Sequence, residues 1–195
     1  MDAKQHKHFK IYKPYGMLSQ FASNSTQQKR KHFLGELGNF SESIMPIGRL
    51  DEKSEGLLLL TTDGKISNYI NSSCVEKEYY ALVDGAISES QITQLQKGVE
   101  IGFDGKKYQT KPCKVLKLET PPLLPNRSKK IRDARHGPTS WISITLKEGK
   151  FRQVRKMTSA IGFPTLRLVR FRIGKIRLDN MKVGDVNAIN ILAEL

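Results

Sequence analysis

The hydrophobic positions of this chain fall into short runs that predict many strands and few helices. Four consecutive leucines at residues 57–60 lead into a Thr-Thr-Asp-Gly segment, which is typical of a buried strand that ends in a turn. Similar runs predict further strands at residues 9–12, 17–21, 44–47, 76–83, 107–118 and 141–146, and two strands on either side of Gly174 within residues 166–178.

Helical spacing is confined to short segments. Ser88 is a good N-cap for a helix whose apolar positions are Ile92, Leu95 and Val99. The other predicted helices cover residues 31–37, 66–70, 151–161 and 183–195. Because strands do not alternate regularly with long helices, a doubly wound parallel sheet is not expected. The pattern predicts an α+β fold with a mixed, mostly antiparallel sheet.

The N-terminus and several loops of the chain are polar. Residues 1–8 are predicted to be a disordered tail, and residues 9–195 a single domain. The long loop over residues 121–138 is basic, which is unusual enough to suggest a function. Cys74 and Cys113 form no metal-binding pattern, so two reduced thiols and no metal site are expected.

The net charge of +14 on 195 residues limits the possible partners. Such a field attracts polyanions and opposes self-association, so nucleic acid and a monomeric state are predicted. The sequence contains no basic amphipathic helix with a strong apolar face, so binding to a membrane surface is not expected. No apolar run approaches the length of about 20 residues that spans a bilayer. The N-terminus lacks the apolar segment of a secretory signal, which predicts a cytoplasmic protein.

The basic residues concentrate in two segments. Between residues 147 and 177 only Glu148 opposes Lys147, Lys150, Arg152, Arg155, Lys156, Arg167, Arg170, Arg172, Lys175 and Arg177. The loop at residues 121–138 contributes Arg127, Lys129, Lys130, Arg132 and Arg135. Both segments are candidates for contact with an RNA backbone.

Asp51 is the strongest candidate for chemistry. It lies two residues after Arg49 in a polar loop that precedes the leucine strand. A carboxylate near a guanidinium stays ionised at neutral pH and can act as a base or a nucleophile. A plain turn-capping aspartate is the alternative for this residue taken alone.

Two further residues could share a site with Asp51. Tyr79, at the start of a predicted strand, is either a core aromatic or a ring that stacks on a base and transfers a proton. In the predicted helix, Arg152, Arg155 and Lys156 share one face, while Phe151 and Val154 on an adjacent face are expected to anchor the helix to the core. Arg155 could pair with Asp51 and hold it ionised.

Three segments resemble one enzyme family. They are GRLDEKSEGLL at residues 48–58, KEY at residues 77–79 and EGKFRQVRKM at residues 148–157. In order and spacing they resemble RNA pseudouridine synthases of the small-subunit rRNA synthase branch, as do KPYG at residues 13–16 and GFP at residues 162–164. The resemblance begins near residue 9, where the catalytic domain would start without the S4-like domain of many relatives.

The resemblance implies a pseudouridine synthase fold with two sub-lobes, a central RNA-binding cleft and no cofactor. It implies that uridine in rRNA, in particular 23S rRNA, becomes pseudouridine. By resemblance Asp51 is the essential carboxylate, Tyr79 stacks on the base and Arg155 pairs with Asp51. Arg49 is expected to help flip the nucleotide out of its stack. The expected backbone contacts are Arg152, Lys156, Arg127, Lys129, Lys130, Arg132, Arg135, Arg167 and Arg170.

Two other functions fit part of the sequence. A non-catalytic rRNA-binding or ribosome-assembly protein accounts for the charge but not for the combination of Asp51, Tyr79 and Arg155. A hydrolase could use Asp51 with Glu52 or Glu55 as an acid–base pair, but that function explains neither the net charge nor the basic C-terminal half.

Overall fold

A computed structural model describes residues 6–23, 25–28, 30–72 and 75–194, apart from the side chains of residues 27, 103 and 134. The chain divides into two compact units, Met1–Val75 with Arg170–Leu195, and Glu76–Val169. The predicted α+β class is confirmed, because the sheets are mostly antiparallel and the helices short.

The strands are β1 His8–Lys13, β2 Met17–Leu18, β3 His32–Phe33, β4 Met45–Ile47, β5 Glu55–Thr61, β6 Lys77–Asp84, β7 Glu100–Phe103, β8 Lys106–Gln109, β9 Lys114–Leu118, β10 Thr139–Leu146, β11 Thr165–Ile173, β12 Ile176–Arg177 and β13 Val186–Ala188. The α-helices are α1 Gly64–Asn71, α2 Glu89–Lys97, α3 Gln153–Ala160 and α4 Ile191–Glu194. Short 3-10 turns cover Thr26–Gln28, Leu34–Leu37 and Ala134–His136.

The first unit is organised around β5. Its strand order is β13-β1-β5-β11, β4 also pairs with β5, and β12 pairs with β11. Every residue of β5 is buried, which confirms the predicted leucine strand. Asp63, which follows this strand, caps α1 by accepting hydrogen bonds from the backbone N–H groups of Lys65 and Ile66.

The second unit has its own core. β10 pairs antiparallel with β6 on one side and β9 on the other. Helix α2 begins after Ser88 as predicted, and Ile92 and Leu95 are buried. The core brings together apolar side chains of several elements, among them Val83, Leu95, Val115, Ile144, Val154 and Met157.

The single strand predicted over residues 107–118 is wrong. β7 and β8 form a hairpin, and β9 is a separate strand. Asp104 and Gly105 both have positive φ at the tip. Two-residue hairpins whose loop residues both need positive φ favour Asp-Gly, which accounts for the hairpin. The break between β8 and β9 contains Pro112, which has no N–H for a strand ladder, so a signal that divides residues 107–118 was present in the sequence.

Other predictions also need correction, although residues 1–5 of the predicted tail lie outside the described residues. Residues 183–195 are not one helix, because β13 pairs with β1 before the short α4 begins. Residues 6–8 are not a tail: His8 lies in β1, and the Lys7 backbone N–H donates to Thr62 Oγ1 at 3.0 Å. Residues 31–37 form β3 and a 3-10 turn instead of α-helix. No helix in the described part of the chain could cross a membrane.

Candidate active site

The loop that carries Asp51 is held by backbone and side-chain contacts within the first unit. Ser19 Oγ donates to the Leu50 carbonyl at 2.8 Å and accepts from the Leu50 N–H at 3.0 Å. The Gly16 N–H donates to the Glu52 carbonyl at 2.8 Å. Asp51 therefore lies between two residues whose backbones are tied to the β1–β2 segment, the arrangement expected for a side chain that must be positioned accurately.

Gly48 begins this loop in a left-handed conformation that favours glycine. Its φ is +67°, and a Cβ atom would lie 2.7 Å from Asn71 Oδ1. A larger residue would therefore strain the backbone, and the Asn71 side chain would have to move aside. The exposed Arg49 and the half-buried Asp51 follow directly.

Lys13 is fully buried next to the same loop, although the sequence singled it out only as part of a motif. Its Nζ atom donates to the Met17 carbonyl at 2.6 Å and lies 3.5 Å from the Glu52 carbonyl. Burial lowers the pKa of Lys13 to about 7, against the opposing effects of Glu55 and Asp51. In its protonated form Lys13 interacts electrostatically with Asp51, and its hydrogen bonds brace the loop.

We expect Lys13 to make stability depend on pH. Its pKa of about 7 in the folded chain lies below the ordinary 10.5, so the unfolded chain binds more protons between these values. The free energy of unfolding should then rise with pH through this window, by at most roughly 1.4 kcal/mol per pH unit. Urea titrations should show this rise in the wild type and a flatter profile in Lys13→Met.

Lys65→Met, which removes an exposed lysine of α1, is the matched control and should keep the wild-type slope. Equal slopes in the wild type and in Lys13→Met would contradict the burial effect.

Two basic residues predicted to contact RNA are instead buried. Arg170 Nε donates to the Leu57 carbonyl at 2.7 Å, within the first unit. Arg167 Nη2 donates to the Pro125 carbonyl at 2.7 Å, within the second. A buried guanidinium that bonds to a backbone carbonyl supports the fold and offers no surface to a phosphate. These two residues are therefore removed from the proposed RNA contacts.

Tyr79 and Arg155 belong to the second unit, whereas Asp51 and Arg49 belong to the first. Tyr79 lies in β6 opposite Ile144 of β10, and its half-buried ring packs against the core of its unit. Arg155 is half-buried, and its Nη1 donates to the Thr165 carbonyl at 3.3 Å. The pairing of Arg155 with Asp51 stays a prediction.

The helix that carries Arg155 starts later than predicted. Arg152 has a φ of 52° and caps α3 from outside, so it is not part of the helical face. Val154 is buried as expected, but Phe151 is 67% exposed and does not anchor the helix. The left-handed residue breaks the helical register that the sequence pattern assumed.

Glu148 and Gln153 fix the start of α3. Gln153 Nε2 donates to Glu148 Oε1 at 2.5 Å, and Gln153 Oε1 accepts from the Lys150 N–H at 2.9 Å. Tyr108 donates its hydroxyl to Glu148 Oε2 at 2.6 Å. Burial favours a higher pKa for Glu148, but these hydrogen bonds and that of the Lys111 N–H lower it, so the carboxylate stays charged. This support for the arginine-bearing segment was not predicted from the sequence.

The start of α3 borders a basic cavity of about 490 Å³ in the second unit. Arg152, Arg155 and Lys156 all line it, so the structure brings together the three basic residues grouped in the sequence analysis. Glu100 also lines the cavity, but it forms an ion pair with Lys107 at 2.9 Å. The cavity is suited to an anionic group.

The basic loop is partly occupied by internal contacts. Arg132 forms an ion pair with Asp84, and Arg135 forms one with Asp133 at 2.6 Å. Arg127 donates to the carbonyls of Leu166, Lys129 and Lys130. Lys129, Lys130 and Arg135 are all exposed, but only Arg135 of these three is engaged by an ion pair that the structure describes, so the two lysines remain candidates for contact with a phosphate.

Residues 6–23, 25–28, 30–72 and 75–194 contain no cluster of His, Cys, Asp or Glu that could hold a metal ion. Burial raises the pKa of Cys113 to about 11, so its thiol stays protonated at neutral pH. Cys74 lies outside the described residues.

Comparisons with known proteins agree with the motifs. The family model described as RNA pseudouridylate synthase matches residues 7–160. The chain is 36% identical to ribosomal large subunit pseudouridine synthase E of Vibrio parahaemolyticus, over 98% of this chain and 77% of the relative. It is 41% identical to the protein of the same name from Xanthomonas campestris, over 89% of this chain and 90% of the relative.

A solved structure extends the likeness to the fold. The crystal structure of a pseudouridylate synthase superposes with a TM-score of 0.74 and 24% identity, covering 99% of this chain and 74% of the other. At this identity the superposition supports the fold alone. Together with the sequence matches, it confirms the predicted resemblance: the chain belongs to the RNA pseudouridylate synthase family and is an isomerase of uridine in RNA.

Proposed function

We propose that this enzyme converts a specific uridine of large-subunit (23S) rRNA to pseudouridine. The observation that carries the proposal is the similarity, over almost the whole chain, to relatives named as large-subunit pseudouridine synthases. The net charge of +14 suits a polyanionic substrate, and it opposes self-association. We further propose that the enzyme acts as a monomer in the cytoplasm.

The proposed reaction moves one bond of the substrate. The bond from N1 of uracil to C1′ of ribose breaks, the base turns, C5 is joined to C1′, and the C5 proton is released to solvent while N1 gains one. Asp51 would supply the carboxylate, which attacks C1′, adds to C6 or removes the C2′ proton. Tyr79 would stack on the base and take part in proton transfer.

The remaining proposed roles belong to arginine and lysine residues that act through their positive charge. Arg155 would pair with Asp51 and keep it ionised, and Arg49 would occupy the gap left by the flipped nucleotide or hold its phosphate. Because Arg167 and Arg170 are buried, they are left out of the proposed contacts with the RNA backbone. The remaining contacts are Arg152, Lys156, Arg127, Lys129, Lys130, Arg132 and Arg135. Support comes from the accessibility of several of these residues, in particular Lys129, Lys130 and Arg152.

The substrate assignment is tested with transcripts labelled with [5-³H]uridine. Conversion to pseudouridine releases tritium from C5, so a 23S rRNA transcript should release about one equivalent per molecule at the completion of a single-site reaction. A 16S transcript should release none. Release from the 16S transcript alone would contradict the large-subunit assignment and leave the isomerase activity standing.

The exposed lysines of the basic loop should govern the salt dependence of binding. Reversing the charge of Lys129 and Lys130 to glutamate should weaken RNA binding and reduce the slope of log K against log salt by about 2. A matched double variant, Lys97→Glu with Lys117→Glu, makes the same change in net charge at exposed positions of the same unit. Equal slopes for the two double variants would remove the loop from the interface.

A further inference from the structure

Phe151 is exposed among basic residues and does not belong to the hydrophobic core described for the second unit. Its accessible fraction is 67%, whereas Gln153 and Val154 at the start of α3, only two and three residues later, are buried. Single exposed apolar residues are common on protein surfaces, so exposure alone carries no function. The surroundings of this ring are what distinguish it.

Cations flank the ring in sequence and in space. Lys150 and Arg152 are its chain neighbours, and Lys156 Nζ lies 5.4 Å from the ring centroid. The Lys156 ammonium also donates to the Gly102 carbonyl at 2.7 Å, which fixes it at the edge of the basic cavity. The aromatic ring thus stands beside a cavity suited to a phosphate.

The segment that presents the ring is firmly held. Gln153 and Glu148 fix the backbone on either side of it, and Lys150 Nζ lies 5.0 Å from the centroid of the Tyr108 ring. Arg152 takes a left-handed conformation directly after Phe151. A ring on such a support loses little further freedom when a ligand stacks on it.

An exposed aromatic ring next to cations is the arrangement by which proteins bind unpaired nucleotides, because every base has a face that can stack. We infer that Phe151 is a stacking platform for an unpaired base of the RNA other than the uridine being modified, with an adjacent phosphate in the cavity lined by Arg152 and Lys156. The inference rests on the proposed RNA substrate. It assigns a second nucleotide site to the second unit.

The test compares variants of Phe151 by fluorescence anisotropy. The probe is a labelled single-stranded oligouridylate of about 12 nucleotides, a length within the usual site size. Phe151→Leu and Phe151→Ala should weaken its binding by about five- to a hundredfold, whereas Phe151→Trp should bind at least as tightly as the wild type. Leu116→Ala, at a residue of comparable exposure (62%), should change nothing.

A second probe separates stacking from other effects. An oligonucleotide of the same length with abasic riboses keeps the phosphates, so the leucine variant should bind it as the wild type does. Equal affinity of the wild type and Phe151→Leu for the oligouridylate would overturn the platform. An equal loss for both probes would also overturn it, because the ring would then act through the backbone or the fold.

Tritium release from rRNA distinguishes this inference from the proposed function. If the wild type forms pseudouridine but Phe151→Leu binds RNA as tightly as the wild type does, the platform alone is refuted. If Phe151→Leu weakens oligouridylate binding but the wild type releases no tritium from the 23S transcript, the proposed function alone is refuted.

Discussion

Replacing Asp51 with asparagine is expected to reduce pseudouridine formation by at least about 10³-fold, since an amide of the same shape can neither attack nor remove a proton. The loop is held by hydrogen bonds of the Leu50 and Glu52 carbonyls with Ser19 and Gly16. These bonds do not involve the Asp51 side chain, so the fold should not change. Tritium release measures the activity, and thermal unfolding checks the fold.

RNA binding gives the internal control for this variant. Asp51→Asn should bind a 23S transcript about as tightly as the wild type, because removing a negative charge does not weaken attraction to phosphates. The comparison also separates an enzyme from a non-catalytic rRNA-binding protein. Tritium release by Asp51→Asn at the wild-type rate would show that this carboxylate is not the catalytic group.

Replacing Arg155 with alanine should lower activity by about 10²- to 10³-fold, if its guanidinium orients and keeps ionised the Asp51 carboxylate. Arg155→Lys should recover only part of the loss, because an ammonium cannot form the paired hydrogen bonds of a guanidinium. The pairing predicts a stability effect as well, since a carboxylate left without its cation is destabilising.

A double-mutant cycle isolates the pair. The cost of Arg155→Ala in free energy of unfolding should be smaller in the Asp51→Asn background by about 0.5–3 kcal/mol. Arg155 also bonds to the Thr165 carbonyl, but this contact is lost in both backgrounds and cancels. A coupling energy of zero would contradict the pair.

Local patterns in the sequence were enough to predict the elements that dominate the fold. The leucine run of β5 and the capped helix α2 are where periodicity placed them. Residues 186–188 could not be identified in this way, because the short strand β13 forms through pairing with β1 at the other end of the chain. The Asp104-Gly105 turn and Pro112, in contrast, are local signals of the two places where the chain leaves a strand.

The residues of the candidate site could be predicted from the sequence, but the residues that hold the Asp51 loop in place could not. The motif around Asp51 identified the family, but the burial of Lys13 and the double contact of Ser19 with Leu50 depend on residues brought together only by folding. The charge pattern also failed for Arg167 and Arg170. A run of basic residues shows where charge lies in the chain, and it does not show which side chains the core buries.

The most direct test of the central claim is to map pseudouridine in 23S rRNA from cells that lack this gene and carry either the wild-type protein or Asp51→Asn. We predict that one pseudouridine is missing in the deletion strain, returns with the wild-type protein and stays missing with Asp51→Asn present at equal abundance. Full restoration by Asp51→Asn, or an unchanged map in the deletion strain, would contradict the account.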